Sequence, residues 1–235
     1  MQDDFAEHVF FAAISGFGWW ITTNTPVSRL SFPKNDPGMQ YPFHKTTIPM
    51  IWVSSFVFLL ATLLPLISYF LSGKYPTIFK KCHLIRSISV NVFAICLTGI
   101  ATNIFKSYVG RPRPHFYQRC NIDPMNDTEC NLPKADLEDI YKSWPSGHSS
   151  IAMSGSLFSC LFLLKAFRIR RAPYLFAALL LMFFPMYIGS TRIKDFKHRP
   201  DDVIAGFLLG FIISFTVFEQ QKENLFFNGQ TVSIL

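Results

Sequence analysis

The stretch Ile51–Ser72, with the sequence IWVSSFVFLLATLLPLISYFLS, decides the fold class of this protein. It contains no charged residue, and it is longer than the roughly 20 mostly apolar residues that cross about 30 Å of hydrocarbon. Pro65 lies inside the stretch, and membrane helices tolerate such a proline. The sequence here therefore predicts a helix that spans a lipid bilayer.

Five more apolar blocks give six predicted spans in all, at residues 5–22, 51–72, 84–105, 149–167, 173–190 and 203–219. The first block is the weakest, and a cleaved signal peptide is the alternative for it. A signal peptide would need a basic start and a small-residue cleavage site. This block instead follows Asp3 and Asp4 and ends at Trp19 and Trp20. A retained span is favoured, because tryptophan suits the membrane interface.

The composition agrees with a membrane protein. Half of the residues are hydrophobic and only 16% are charged, whereas a soluble domain carries about 25%. The net charge of +7 is broken into short clusters between apolar blocks, which argues against nucleic acid as a partner and favours a basic membrane edge with an anionic substrate site. We expect an all-α, six-transmembrane-helix integral membrane bundle that forms a single domain over residues 1–235.

Short basic loops predict the orientation of the bundle. Two loops on the side of both termini contain Lys74, Lys80, Lys81, Arg86, Lys165, Arg168, Arg170 and Arg171. The positive-inside rule makes that side cytoplasmic, in the plasma membrane or an endomembrane. A polar loop on the far side carries Asn126 in a glycosylation sequon. Cys120 and Cys130 flank this loop and could pair in an oxidising compartment, but spacing alone does not decide it.

Three polar clusters abut the ends of predicted spans. They are Lys106–Pro114 (KSYVGRPRP), Ser143–Ser150 (SWPSGHSS) and Thr191–Asp202 (TRIKDFKHRPDD). The alternating topology puts all three on the non-cytoplasmic face. The sequence thus predicts a polar site, and by its residue types an active site, at the non-cytoplasmic edge of the membrane.

The residue types in these clusters suit phosphate-ester cleavage without a metal. A histidine can attack phosphorus, a carboxylate can hold its other ring nitrogen, and a second histidine can protonate the leaving oxygen. His198 and Asp202 are four residues apart and share a face if the last span begins there, with Pro200 suited to the first helical turn. His148 supplies the second histidine.

The remaining candidates would bind phosphate oxygens. Lys106, Arg113 and Arg192 supply fixed positive charge. Ser146 offers a hydroxyl, and Gly147 allows backbone N–H groups to approach an anion closely at the start of a helix.

These spacings resemble the type 2 phosphatidic acid phosphatases, also called lipid phosphate phosphatases. The motifs of that family are K-x6-R-P, P-S-G-H and S-R-x5-H-x3-D, and this chain has them in order at Lys106–Pro114, Pro145–His148 and Thr191–Asp202. Thr191 replaces the serine, which keeps a hydroxyl. Arg111-Pro112 also fits R-P, and only the family spacing selects Arg113-Pro114. The stretches GRPRPHF and DFKH resemble the eukaryotic members.

The resemblance implies a role for each residue. His198 would form a phosphohistidine, Asp202 would orient it, and His148 would act as acid and then base. Lys106, Arg113, Arg192, Ser146 and Gly147 would bind phosphate. The resemblance implies no metal and no cofactor. The expected function is metal-independent hydrolysis of phosphatidate-like lipid phosphate monoesters.

Other interpretations stay open at this point. The same chemistry could act on an isoprenoid pyrophosphate, diacylglycerol pyrophosphate or a sugar phosphate. A catalytically silent membrane scaffold or binding protein would be favoured by the loss of a catalytic residue, and no expected residue is missing. A channel or transporter would predict ionisable residues within the spans. The expected partners are a lipid phosphate substrate and membrane lipids, and a homo-oligomer is neither predicted nor excluded. Four other histidines are interpreted as structural: His8, His44, His83 and His115.

Overall fold

The structure is a computed structural model that describes residues 3–33, 35–123, 130–167 and 172–226. Within these ranges it is helical, with two isolated β-bridges and no strand. The helices are α1 (Asp3–Thr23), a 3₁₀ turn (Pro37–Met39), α2 (Met50–Lys74), α3 (Leu84–Val109), α4 (Phe116–Cys120), α5 (Lys134–Ile140), α6 (Gly147–Ala166), α7 (Ala172–Leu180), α8 (Phe183–Lys194) and α9 (Pro200–Gln221).

Five segments are long and apolar enough to cross a membrane, namely Met50–Lys74, Leu84–Val109, Gly147–Ala166, Leu175–Lys194 and Pro200–Gln221. They confirm the all-α membrane class. The first predicted span forms helix α1, but its apolar part, Val9–Thr23, is shorter than the other five. A sixth span is therefore not confirmed and stays a prediction. Large apolar side chains such as Trp52 and Phe70 lie exposed on the outer surface, where lipid would cover them.

The fifth predicted span is broken into two helices, α7 and α8. Pro185 has no N–H and cannot bond to the carbonyl of Leu181 one turn earlier. At the break, the N–H groups of Leu181 and Met182 instead bond to carbonyls three residues back, at Ala178 and Leu179. The sequence pattern identified the span and the proline, but the break itself is seen only in the structure.

Helix α6 lies at the centre of the bundle and packs against α2, α3, α8 and α9. Its closest neighbour is α9, because Gly206 and Gly210 remove the side chains from the contact. A Cβ at Gly206 would lie 2.5 Å from the carbonyl oxygen of Ser146, and one at Gly210 would lie 2.3 Å from that of Ser150. One turn later, Ser214 donates to the carbonyl of Ser154 over 2.9 Å. Small residues at this spacing permit close approach of membrane helices.

Hydroxyl groups join α6 to α3 on its other side. Thr102 and Ser150 share a hydrogen bond of 2.8 Å, and Thr98 donates to the hydroxyl of Ser154 over 3.0 Å. All four side chains are buried. In lipid surroundings such interhelical bonds replace the lost contact with water, so they fix α3 and α6 relative to each other. An apolar core fills the remaining space between α2, α3, α6 and α8, with Val53, Val57, Ile95, Ile151 and Ile188 fully or almost fully buried.

A cap of loops and short helices covers the end of the bundle where α3 ends and α6 begins. Its small core contains Met39, Phe116, Tyr117, Cys120, Ile140 and Tyr141. Cys120 and Cys130 form a disulfide in this cap, with their Cα atoms 5.0 Å apart. Asn126, the predicted glycosylation site, lies outside the described residues.

Replacing Gly210 with alanine should destabilise the bundle, because the added Cβ would meet the backbone of α6. Overpacking of this kind costs about 1–3 kcal/mol. The measurement is the thermal unfolding midpoint of the purified protein in detergent. Gly16→Ala is the matched control, because nothing lies within 4 Å of a Cβ there and alanine favours a helix by about 0.5–1 kcal/mol over glycine. Equal midpoints for the two variants would contradict the close α6–α9 contact.

Candidate functional site

The three polar clusters meet at one end of the bundle, where α3 and α8 end and α6 and α9 begin. The N–H of Ser146 donates to the backbone carbonyl of Asp202 over 2.9 Å. A Cβ at Gly147 would lie 3.5 Å from Cε of Lys106. Nε2 of His148 lies 3.3 Å from Nη1 of Arg192. The residues singled out from the sequence therefore lie together, although they come from the ends of four helices and the loops next to them.

His198 lies in the turn before α9, which begins at Pro200, so it precedes the helix rather than sharing its face. Its Nδ1 faces Oδ2 of Asp202 at 3.7 Å, which is longer than a hydrogen bond. No other described group bonds to this buried nitrogen. The carboxylate thus lies on the Nδ1 side of the imidazole and leaves Nε2 as the nitrogen available for chemistry.

Three donors hold the Asp202 carboxylate, which is fully buried. Nη1 of Arg111 donates to Oδ1 over 2.8 Å. The hydroxyl of Ser143 and the N–H of Arg199 donate to Oδ2 over 2.6 and 2.8 Å. The bond from Arg199 also caps the first turn of α9. Asp202 therefore both starts the helix and orients a charge toward His198.

The surroundings of His198 favour its neutral form. Burial lowers the pKa of its imidazole to about 3; Asp202 opposes this decrease, and the nearby charges of Lys106 and Arg113 add to it. An unperturbed histidine has a pKa near 6.5. At neutral pH the imidazole is thus uncharged, and with its single proton on Nδ1, the side of Asp202, the lone pair of Nε2 is available for nucleophilic attack.

Arg192 is fully buried at the end of α8. Its Nε and Nη2 donate to the hydroxyl of Thr191 over 3.1 and 2.9 Å. Its Nη2 also donates to Oδ2 of Asp195 over 3.1 Å. The threonine that departs from the family pattern thus keeps the hydroxyl contact, and the guanidinium is fixed on one edge.

The segment Thr47–Pro49, just before α2, connects the two sides of the site. The N–H and hydroxyl of Thr47 donate to the carboxylate of Asp195 over 2.7 and 2.6 Å. The carbonyl of the next residue, Ile48, lies 3.2 Å from Nε2 of His148. Asp195 therefore holds both Arg192 and the segment that contacts His148.

The other two predicted cations lie where α3 ends. Gly110 ends the helix in the left-handed region, with φ of 58°, and a Cβ there would lie 1.8 Å from the carbonyl oxygen of Ser28. Nζ of Lys106 donates to the carbonyl of Lys142 over 2.5 Å. Nη2 of Arg113 forms an ion pair of 2.7 Å with Asp139. Both cations are mostly buried and held by the cap.

The turn between α8 and α9 is held in a strained conformation. Phe196 has φ of 52°, which is uncommon for a residue other than glycine. Its ring stacks on Tyr41 with centroids 4.9 Å apart, and its carbonyl accepts a 2.7 Å bond from Nδ1 of His115. Burial lowers the pKa of His115 to about 4. The interpretation of His115 as structural agrees with this contact, which supports the turn that presents His198.

Taken together, the site has Lys106, Arg113 and Arg192 around two histidines, the buried His198 and the partly buried His148. Ser146 is the N-cap of α6, and its Oγ accepts a bond of 3.0 Å from Ser149. Buried positive charge beside a helix N-terminus favours an anion. Among the described residues, no group of three or more His, Cys, Asp or Glu side chains could hold a metal ion.

Three side chains of the site received no role from the sequence: Arg111, Ser143 and Asp195. Each lies within one of the three polar clusters, so the sequence indicated the region of the site but not the part played by these residues. Arg111 had appeared only as the second R-P pair. Their roles depend on contacts with residues far along the chain, such as Asp202 for Arg111. Thr47 and Ile48 gave no sequence signal, because they act mainly through backbone groups.

The chain is similar to a family of known proteins. Residues 89–226 match a family model described as the PAP2 superfamily. The chain is 32% identical to "Lipid phosphate phosphatase 1" of Arabidopsis thaliana over 79% of its length and 58% of the relative. It is also 32% identical to "Probable lipid phosphate phosphatase 4" of that plant, over 81% of this chain and 64% of the relative.

A third relative is "Probable diacylglycerol pyrophosphate phosphatase 1" of Schizosaccharomyces pombe, which is 31% identical over 57% of this chain and 53% of the relative. The chain therefore spans less than two thirds of the length of these relatives. No solved structure shows a significant match to the chain.

Replacing Asp195 with alanine should strongly destabilise the protein, because it leaves the buried Arg192 and two donors of Thr47 without their acceptor. Breaking a buried ion pair costs about 3–5 kcal/mol. The measurement is again the thermal unfolding midpoint in detergent. Glu219→Ala, which removes a pair with Lys222 that is about one third exposed, is the control and should leave the midpoint unchanged. A similar midpoint for both variants would show that Asp195 does not hold the site together.

The free energy of unfolding should fall as the pH falls from about 6.5 to about 4. In this window the unfolded chain binds protons at His115 and His198 that the folded chain, with pKa values of about 4 and about 3, does not bind. Unfolding midpoints at several pH values measure the slope. His198→Asn should make this slope shallower. An unchanged slope would show that His198 binds a proton in the folded protein as readily as in the unfolded chain.

Proposed function

Because this chain belongs to the PAP2 superfamily, we propose that it hydrolyses the phosphate monoester of a membrane lipid such as phosphatidate. The observation that supports this most is the convergence of two buried cations, Lys106 and Arg192, the partly buried Arg113 and two histidines at one end of a membrane bundle. Such a group neutralises phosphoryl oxygens and supplies both a nucleophile and a proton donor. The names of two relatives, both lipid phosphate phosphatases, agree with the proposal.

In the first proposed step, Nε2 of His198 attacks phosphorus and the bond from phosphorus to the ester oxygen breaks. The leaving alcohol, diacylglycerol in the case of phosphatidate, takes a proton from the imidazolium form of His148, which becomes neutral. Lys106, Arg113 and Arg192 hold the charge of the phosphoryl oxygens. The fixed carboxylate of Asp202 on the Nδ1 side stabilises the imidazole as it gains positive charge.

In the second step, water attacks the phosphohistidine and the bond from phosphorus to nitrogen breaks. His148, now neutral, takes the proton of the water, and inorganic phosphate leaves. His198 returns to its starting form. The Ile48 carbonyl lies 3.2 Å from Nε2 of His148, so it can accept the N–H of the protonated ring and fix the orientation of this imidazole beside the phosphate. The proposed chemistry requires no metal ion and no cofactor.

We place this site on the lumenal or extracellular side, with the chain termini in the cytoplasm. Two observations support this orientation. The Cys120–Cys130 disulfide lies in the cap at the site end, and disulfides persist in oxidising compartments. Lys74 and Lys165 lie in the last turns of α2 and α6, at the ends of these helices that are far from the site. This agrees with the positive-inside rule if those ends face the cytoplasm.

A second candidate substrate is a lipid pyrophosphate. The name of the Schizosaccharomyces pombe relative favours it, and the site has enough positive charge for a second phosphoryl group. Phosphate release from phosphatidate and from diacylglycerol pyrophosphate, measured side by side, separates the two. The substrate with the higher kcat/KM identifies the preferred headgroup.

His198→Ala should abolish phosphate release from phosphatidate, because the nucleophile is lost. The measurement is release of ³²P from labelled phosphatidate by purified protein in mixed micelles with EDTA present. Wild-type protein quenched in alkali should carry a labelled phosphohistidine at residue 198, and His198→Ala should carry none. Activity in the variant at about the wild-type rate would contradict the assignment, since removal of a nucleophile costs several orders of magnitude.

His44→Ala is the matched control, because this exposed histidine lies outside the three polar clusters and contacts the ring of Phe196. It should retain activity and labelling. Loss of wild-type activity in EDTA, restored by a divalent cation, would contradict the proposed metal independence while leaving the nucleophile in place. A wild-type protein that binds phosphatidate without releasing phosphate would favour the silent binding protein instead.

A further inference from the structure

An apolar groove lies beside the site, between the start of α2 and the start of α8. Its walls are Ile48, Pro49, Trp52, Val53, Phe56 and Phe184, and its volume is about 400 Å³. The rings of Phe56 and Phe184 pack together with centroids 4.2 Å apart. The size falls within the range of about 300–1,000 Å³ that is usual for small-ligand pockets.

The groove is continuous with the site through the Thr47–Pro49 segment. Ile48 lines the groove, while its carbonyl lies 3.2 Å from Nε2 of His148. The position of this segment is fixed by the two bonds from Thr47 to Asp195. If the phosphate of a bound molecule lies beside His148, the groove therefore begins next to the ester oxygen, because Ile48 both contacts His148 and lines the groove.

The groove is lined mainly by apolar side chains. Apart from the indole of Trp52, only Thr47 among its described lining residues has a polar side chain, and the N–H and hydroxyl of Thr47 already donate to Asp195. Trp52, on the outer lip, is 68% exposed on a helix that spans the membrane. The groove thus opens to lipid, and a hydrocarbon chain that moves into it stays in apolar surroundings.

Two other clefts lack this connection to the site. One lies at the opposite end of the bundle between α1, α3 and α9, where Phe11, Phe93 and Gln221 line it. The other lies in the cap and is lined largely by polar residues such as Gln40 and Asn121. Neither includes a residue that contacts His148 or Arg192.

We propose that the α2–α8 groove binds the part of the substrate's hydrocarbon chain nearest the headgroup. This inference rests on the proposed function, because it takes the phosphate of that lipid to lie at His148 and His198. The chain would enter from the membrane past Trp52 and run along Phe56 and Phe184. The groove would then select for a substrate with an apolar chain rather than for a headgroup.

Photo-crosslinking tests the location of the chain directly. His198→Ala protein in phosphatidylcholine vesicles is irradiated with a phosphatidate that carries a diazirine near the carboxyl end of an acyl chain. Adducts mapped by mass spectrometry should concentrate in residues 48–56 and 183–187 and decrease with excess unlabelled phosphatidate. Adducts that ignore the competitor, or that concentrate around Phe11 and Phe93, would overturn the proposal.

Kinetics provide a second test with a matched control. Trp52→Ala and Phe184→Ala should each raise the KM for long-chain phosphatidate about tenfold, the scale of a lost apolar pocket contact, and leave the KM for glycerol 3-phosphate unchanged. Phe93→Ala, in the cleft at the other end, should change neither. Unchanged KM values for long-chain phosphatidate in both groove variants would also overturn the proposal.

The two proposals fail in different ways. If wild-type protein releases no phosphate from any substrate, the proposed function fails, and the crosslinking in the inactive variant still reports whether the chain occupies the groove. If wild-type protein is active but the crosslinks lie elsewhere, the proposed function stands and the groove assignment fails.

Discussion

The site depends on the close approach of α9 to the first turn of α6. Glycine at positions 206 and 210 lets the α9 backbone come against the carbonyls of Ser146 and Ser150. The same approach allows the N–H of Ser146 to bond to the carbonyl of Asp202. Because His148 follows Ser146 and His198 precedes α9, the distance between these two helices sets the distance between the two histidines.

The buried charges of Asp202 and Arg192 are paired with specific partners, and each pairing also fixes a segment of backbone. Arg111 and Ser143 hold Asp202, which in turn caps α9. Asp195 holds Arg192 and the segment before α2. A buried charge without a partner would cost several kcal/mol, so the site residues and the scaffold stabilise each other.

The cap and the Thr47–Pro49 segment give the site two different sides. On the cap side, Arg113 pairs with Asp139 and Lys106 bonds to a loop carbonyl, so the surroundings are polar. On the side of α2 and α8, Ile48 and Pro49 lead directly to an apolar groove. A molecule with a charged head and an apolar chain matches this division, because its head would contact the polar cap side and its chain would contact the apolar groove.

The sequence by itself determined the helical membrane class and the identity of the eight candidate site residues. It could do so because apolar length and motif spacing are local properties, and the side chains that perform phosphoryl chemistry belong to few types. The sequence marked the first block as the weakest, but it did not determine that the fifth span breaks before Pro185, nor that the apolar part of the first helix is shorter than the five candidate spans.

Only the tertiary structure decided which groups hold these residues. Arg111 and Arg113 share the same dipeptide pattern, yet one bonds to Asp202 and the other to Asp139. Asp195 and the Ile48 carbonyl acquire their positions from contacts across about 150 and 100 residues of chain. Contacts between residues so far apart along the chain depend on how the helices pack, which no local pattern in the sequence specifies.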